Sequence, residues 1–230
     1  MTRTQAIRWV LKPAVFLLCL GPAAWLVWAI LTGNLSANPL SDITNETGLW
    51  TIRFVCITLA ITPLRRITGW NEAIRFRRML GLFASFYGTM HFLIYVIADR
   101  FAGLIDFPDG IVSLDTARRL LMAIGEDIYK RPYITVGFFA LTSMAPLALT
   151  STAAWIRRLG GKRWQMLHRL IYVTAIAAVV HYWWLVKADI SSPQRYALTV
   201  GALLLFRLVW ARFRSAPPAS APRQALRRSS

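Results

Sequence analysis

Three histidines, at positions 91, 168 and 181, are the side chains best suited to do chemistry in this chain. His168 and His181 lie in "GGKRWQMLHRLIYVTAIAAVVHYWW" (160–184), and His91 lies in "RMLGLFASFYGTMHFLIY" (78–95). A neutral imidazole is a metal ligand and a proton carrier near neutral pH. An ionisable group inside an apolar run is costly there, so each of the three is a candidate functional residue.

The elements that carry them are membrane spans. The chain has 230 residues, 56% of them hydrophobic, and ten tryptophans. Its apolar residues fall in blocks of about twenty, the length that crosses a bilayer, and not at amphipathic spacing. Six spans are expected, at about 13–32, 48–64, 79–98, 132–155, 167–186 and 195–212, forming an all-α membrane bundle over residues 1–212. The first span follows Arg3, Arg8 and Lys12, but its apolar stretch is too long for a signal peptide and lacks a small-x-small cleavage site, so it reads as a retained span.

The formal charge of +17 invites a nucleic-acid reading, but the basic residues sit in short runs between apolar blocks. They read as topology determinants instead, and no nucleic-acid partner is expected. Basic runs precede span one and follow spans two (Arg65, Arg66, Arg75, Arg77, Arg78), four (Arg157, Arg158, Lys162, Arg163) and six (Arg212, Arg214, Arg223, Arg227, Arg228). The loop "GNLSANPLSDITNETG" has none and "KADISSPQR" has two. Both termini are therefore expected on the cytoplasmic side.

The third loop, residues 99–131, carries five basic and six acidic residues. Leu114, Ala117, Leu121, Ile124 and Ile128 recur in it at helical spacing after Ser113, a plausible N-cap, which predicts a helix lying at the outer surface. The tail, residues 213–230, contains "SAPPASAPRQALRRSS" and reads as disordered. Cys19 and Cys56 stand far apart inside apolar blocks, as packed thiols and not as a disulfide or zinc pair.

Depth ranks the histidines. His91 lies about 18 Å into span three and His181 about 21 Å into span five, counted from the cytoplasmic side at 1.5 Å per residue. Two imidazoles at matched depth on different helices suit a bis-imidazole haem, and equally an interhelical hydrogen-bonded pair. His168 stands at the cytoplasmic edge, about 19 Å from His181 along the axis and about 140° around an ideal helix. It shares a seam with His181 only if the helix is irregular or begins near His168. At that level span three offers Arg77, which stays protonated, cannot ligate iron, and is suited to a phosphate or a propionate.

Four segments carry a family likeness: "ITPLRR" (61–66), "RFRRMLGLFASFYGTMHFLIY" (75–95), "KRPYITVGFF" (130–139) and "LGGKRWQMLHRLIYVTAIAAVVHYWWLVK" (159–187). Together they resemble the MsrQ (YedZ) family, haem-binding membrane subunits of a bacterial periplasmic methionine sulfoxide reductase system. That family sits in the ferric-reductase-like transmembrane group with NADPH oxidases and STEAP reductases. The likeness runs from "WLVWAI" (25–30) to span six, leaving the third loop and the tail peculiar to this chain.

The resemblance implies b-type haem, one or two per chain, FMN, the bacterial inner membrane, and electron delivery to a periplasmic molybdopterin reductase, MsrP, that repairs oxidised methionine. His91, His168 and His181 fall on family histidine positions, with His91 and His181 expected to ligate an outer haem. Arg53 and Arg131 are expected near its propionates, or snorkelling to headgroups. At the inner site Arg77 replaces the second histidine of span three found in NADPH oxidases. Either His168 ligates a second haem with another sixth ligand, or a flavin lies there with Arg77, Arg78, Lys162 and Arg163 near its phosphate. For the basic residues, topology alone is the competing explanation. Trp164, Tyr182, Trp183 and Trp184 read as interfacial belt residues.

No G-x-G-x-x-G, molybdenum-binding constellation or soluble nucleotide domain is evident in the sequence. The chain thus reads as an electron-transfer subunit without its own substrate-reducing site, supplied by a cytoplasmic flavin reductase or by quinol. The rival readings are a quinol-oxidising cytochrome b or ferric reductase, and a proton-coupled transporter. Against the transporter, no inverted repeat or paired helix break is evident; against an intramembrane protease, G-x-S-x-G is missing.

Overall fold

The computed structural model describes residues 2–101 and 114–215. Ser113 and residues 216–230 lie outside them, so the helix cap expected at Ser113 and the disorder expected from residue 216 on belong to undescribed residues, whereas residues 213–215, expected in the disordered tail, are helical. The described chain is helical, and among its residues there is no strand.

A short α1 (Arg3–Ala6) leads through a π-helical turn (Ile7–Leu11) into α2 (Lys12–Leu31). α3 (Pro39–Thr68) follows, then a 3-10 turn (Asn71–Arg75), α4 (Arg77–Ile94) and a π-helical continuation (Tyr95–Phe101). After the undescribed stretch come α5 (Leu114–Lys130), α6 (Pro132–Leu149), α7 (Ala153–Leu167), α8 (Leu170–Leu185) and α9 (Ser191–Ser215). Five helices are long and apolar enough to cross a membrane: Thr4–Leu31, Pro39–Thr68, Arg77–Ala98, Pro132–Leu149 and Ser191–Phe213. Leu170–Leu185 is apolar but shorter. Large apolar side chains such as Leu18, Leu31, Leu198 and Leu205 project outward, as lipid-facing residues must.

Several boundaries differ from the sequence expectation, three of them near the histidines or their partners. α3 starts at Pro39, nine residues before the expected 48, inside what reads as a polar loop. Its start is set by the Asn38 side chain, which accepts from the Ser41 amide at 3.1 Å, and by Pro39 in the first turn. Among the polar residues beyond, Thr44 and Thr47 satisfy their hydroxyls on the carbonyls of Leu40 and Ile43. α6 ends at Leu149, where Thr150 turns its hydroxyl back to the Pro146 carbonyl. α8 begins only at Leu170, so His168 sits in a turn and not in the span.

α7 is interrupted at Gly160, whose φ of 73° and ψ of 152° suit glycine alone. The break turns the basic amphipathic piece 161–167 back toward the end of α6. There Trp164 donates its indole N–H to the Thr150 carbonyl at 2.9 Å.

The helices pack as two close pairs, α3 with α4 and α6 with α8, with α9 against α3 and α8. Ile52, Val55, Leu59, Leu80, Phe83 and Tyr87 form the buried centre. Tyr87 also ties α4 to α2. Its hydroxyl donates to the Cys19 carbonyl at 2.8 Å and accepts from the Ala23 amide at 3.1 Å, two groups one helical turn apart beside Pro22. The tyrosine thus occupies the gap that the proline opens in the backbone ladder. Cys19 and Cys56 are buried free thiols.

Candidate functional site

His91 of α4 and His181 of α8 meet inside the bundle. Their ring centroids are 6.2 Å apart and their planes are inclined at 77°. Each ring is fixed by a backbone carbonyl of the partner helix in its pair. Nδ1 of His91 donates to the Thr44 carbonyl of α3 at 2.9 Å, and Nδ1 of His181 donates to the Tyr133 carbonyl of α6 at 2.6 Å. A carbonyl oxygen only accepts, so Nδ1 carries the hydrogen in both rings and Nε2 keeps its lone pair.

The two carbonyls share a further device. Each stands four residues before a glycine, Thr44 before Gly48 and Tyr133 before Gly137. On a helix, the Cβ of one residue covers the turn on its N-terminal side, so glycine at that place uncovers the carbonyl below it. A Cβ at Gly48 would stand 3.2 Å from Nδ1 of His91, and one at Gly137 would stand 2.6 Å from Nδ1 of His181. Both imidazoles therefore occupy space that any other residue would fill.

This arrangement fits a metal held by two imidazoles. Two metal–nitrogen bonds of about 2 Å each, with half a ring at either end, fill a centroid separation of this size. The Nδ1–H to carbonyl bond is the outer-shell contact that fixes the tautomer and aims Nε2 in histidine-ligated metal sites.

A second site lies toward the other end of the same helices. A cavity of about 650 Å³ is lined by Arg65, Arg66, Arg77, Arg78, Arg169 and Arg207, together with Thr58, Ser85 and Met144. Among the described residues no carboxylate lines it, so its field is strongly positive and suits an anion. Arg207 reaches it from α9, donating to the Leu59 carbonyl at 2.7 Å and to the Tyr172 hydroxyl at 3.0 Å. The buried hydroxyl of Thr58 and Nε of Arg207, on two residues of its wall, have no hydrogen-bond partner.

His168 lines the same cavity. Trp164 covers its ring at a centroid distance of 3.9 Å, and its Nε2 meets the Thr150 hydroxyl at 3.2 Å. That hydroxyl already gives its hydrogen to the Pro146 carbonyl, so it accepts from His168 and Nε2 carries the hydrogen. Burial, and after it the positive charge of Arg77, hold His168 below the usual imidazole range and so favour its neutral form. Its tautomer is the reverse of that of His91 and His181.

The remaining expected site residues are distributed unevenly. Arg77 and Arg78 line the cavity, whereas Lys162 and Arg163 are exposed and lie outside its lining. Arg53 is engaged by the Tyr196 hydroxyl at 3.2 Å, by Glu46 at 3.8 Å and by the face of Trp50 at 4.6 Å. Arg131 pairs with Asp127 at 3.4 Å. Trp164 is turned onto His168, although its position reads as that of a belt residue. The sequence reading passed over Gly48, Gly137, Arg169 and Arg207, and treated Arg65 and Arg66 as topology alone. None of these had a local signal: which carbonyl faces a histidine, and which arginine reaches the cavity, is set by tertiary packing.

A membrane-type helical bundle that brings two half-buried imidazoles side by side defines a class: transmembrane components that can hold a metal cofactor between helices. Residues 47–179 match the family described as ferric reductase like transmembrane component. Curated relatives are named protein-methionine-sulfoxide reductase heme-binding subunit MsrQ. The chain is 49% identical to that of Ralstonia nicotianae over 199 residues, covering 86% of this chain and 84% of the relative. It is 46% identical to that of Herminiimonas arsenicoxydans, covering 88% and 86%. It is 43% identical to that of Xanthomonas oryzae pv. oryzae (strain MAFF 311018), covering 97% and 100%. No solved structure gives a significant match. The chain belongs to the MsrQ family.

Proposed function

We propose that the chain is the haem-binding electron-transfer subunit of a methionine sulfoxide reductase system, with haem b held between His91 and His181. The observation that carries this is the pair of facing imidazoles, each with Nδ1 bonded to a carbonyl and each seated against a glycine. Haem ligated in this way supplies a one-electron carrier. The chain's part is to anchor both rings through Nδ1, leave each Nε2 free for a metal, and deny the rings any other orientation.

The inner cavity is read as a flavin site, with FMN as the ligand. Its arginines match a phosphate. Quinol brings no anion for these arginines to pair with. A second haem on His168 is disfavoured because Nε2 of that ring is spent on Thr150. The two sites are stacked along shared helices: from Ser85 to His91 on α4 the rise is about 9 Å, and from Gly137 to Met144 on α6 about 10 Å.

On this reading six helices cross the bacterial inner membrane, with both termini and the arginine-rich cavity on the cytoplasmic side. Electrons enter from a cytoplasmic flavin reductase or from quinol and leave to a periplasmic molybdopterin reductase of the MsrP type. The basic runs between spans support this orientation. The test is a reduced-minus-oxidised visible spectrum of the purified protein with iron and flavin counted per chain. A b-type spectrum with one haem and one FMN is expected. No haem after haem-replete expression would sink the reading, and two haems without flavin would overturn the inner assignment.

A further inference from the structure

Asp127 of α5 is a buried carboxylate, 6% exposed, in the segment that reads in the sequence as a charged surface loop. It binds side chains from both histidine-bearing halves of the bundle. The Tyr95 hydroxyl donates to it at 2.5 Å, the Arg100 guanidinium pairs with it, and Nε of Arg131 lies 3.4 Å away.

Two of these partners adjoin the two-histidine site. Tyr95 follows His91 by one helical turn, and its amide donates to the His91 carbonyl. Helix α4 widens into its π-helical continuation at this residue, a geometry that often marks functional positions. Arg131 caps the start of α6 two residues before Tyr133, whose carbonyl holds His181. One carboxylate thus bridges the end of α4 beyond His91 to the start of α6 that orients His181. These two ends belong to different helix pairs, and α5 packs on both of them.

We propose that Asp127 is a positioning residue for the two-histidine site, clamping the Tyr95 end of α4 to the Arg131 start of α6 and so fixing how the imidazoles stand toward each other. The clamp makes α5 an element through which events at this face of the molecule reach the histidines. The haem-based part of its test rests on the reading of His91 and His181 as haem ligands.

The experiment uses the full purified chain and its Asp127→Asn and Tyr95→Phe variants. Low-temperature electron paramagnetic resonance reads the angle between the axial imidazoles, and a redox titration reads the haem potential. Both variants are expected to keep their haem, with the highest g value and the potential shifted in Asp127→Asn and shifted less, in the same direction, in Tyr95→Phe. Amide exchange across 91–95 and 133–137 is expected to quicken in both variants, a readout that needs no haem. Wild-type spectra, potential and exchange in Tyr95→Phe would overturn the clamp even if Asp127→Asn failed to fold. A wild-type protein lacking bis-imidazole haem would defeat the earlier reading while amide exchange still decided the clamp.

Discussion

The two-histidine site and the arginine-rich cavity are built on the same helices by opposite means. In the first, the groups that touch the imidazoles are backbone carbonyls and not charged side chains. Two backbone carbonyls and two missing Cβ atoms define it, and both rings sit where an extra carbon would fit badly. The second is defined by long cationic side chains that converge from four segments of the chain around a roomy volume. A site deep in hydrocarbon is shaped with groups already satisfied inside their own helices, because unpaired charge is costly there. A site at the membrane edge keeps charges within reach of water and uses them to select an anion. The first should tolerate almost no change in shape, and the second should lose affinity in steps as charges are removed.

The sharpest way to break this contrast is a single methyl group. Gly137→Ala places a carbon 2.6 Å from Nδ1 of His181, so the ring must leave its carbonyl. Haem binding is expected to weaken by about 10- to 100-fold, the usual effect of losing an outer-shell contact. Gly48→Ala, at 3.2 Å from His91, should show a smaller loss of the same kind. Haem titration into the two apoproteins checks both, and equal tolerance at the two glycines would remove the steric basis of the site.

Next in size, Arg77→Gln and Arg207→Gln should weaken FMN binding by about tenfold each, since each removes a charge-assisted contact. Haem content should stay unchanged, and equilibrium flavin binding measures the effect. Haem loss in either variant would show that the two sites are not separable. Smaller again, Tyr87→Phe removes the hydroxyl that bridges the Cys19 carbonyl and the Ala23 amide. It should cost about 1 kcal/mol of stability in detergent with both cofactors retained.

The apolar blocks made most spans and all three histidines legible, because a membrane imposes length and composition on what crosses it. Matched depth paired His91 with His181 before any fold was known. The first nine residues of α3 were not legible in the same way, since "PLSDITNET" is polar, although Asn38 and Pro39 together are a helix start. Missing that start hid Thr44 and so hid what holds His91. The place of His168 depended on Gly160, whose unusual backbone angles are invisible in composition. Arg207 lies 148 residues from the Leu59 carbonyl it binds, a pairing that only packing reveals. Asp127 was hidden for a related reason: charge in a loop reads as exposure, and its burial follows from Tyr95, 32 residues away, and from Arg100, as well as from the neighbouring Arg131.

The central claim is that His91 and His181, and not His168, hold the haem. Its most direct test is haem content together with the low-spin visible and paramagnetic resonance signatures of His91→Ala, His181→Ala and His168→Ala, each purified after haem-replete expression. The account predicts loss of the bis-imidazole signature in the first two variants and its full retention in the third. A normal signature in His91→Ala or His181→Ala, or its loss in His168→Ala alone, would contradict it.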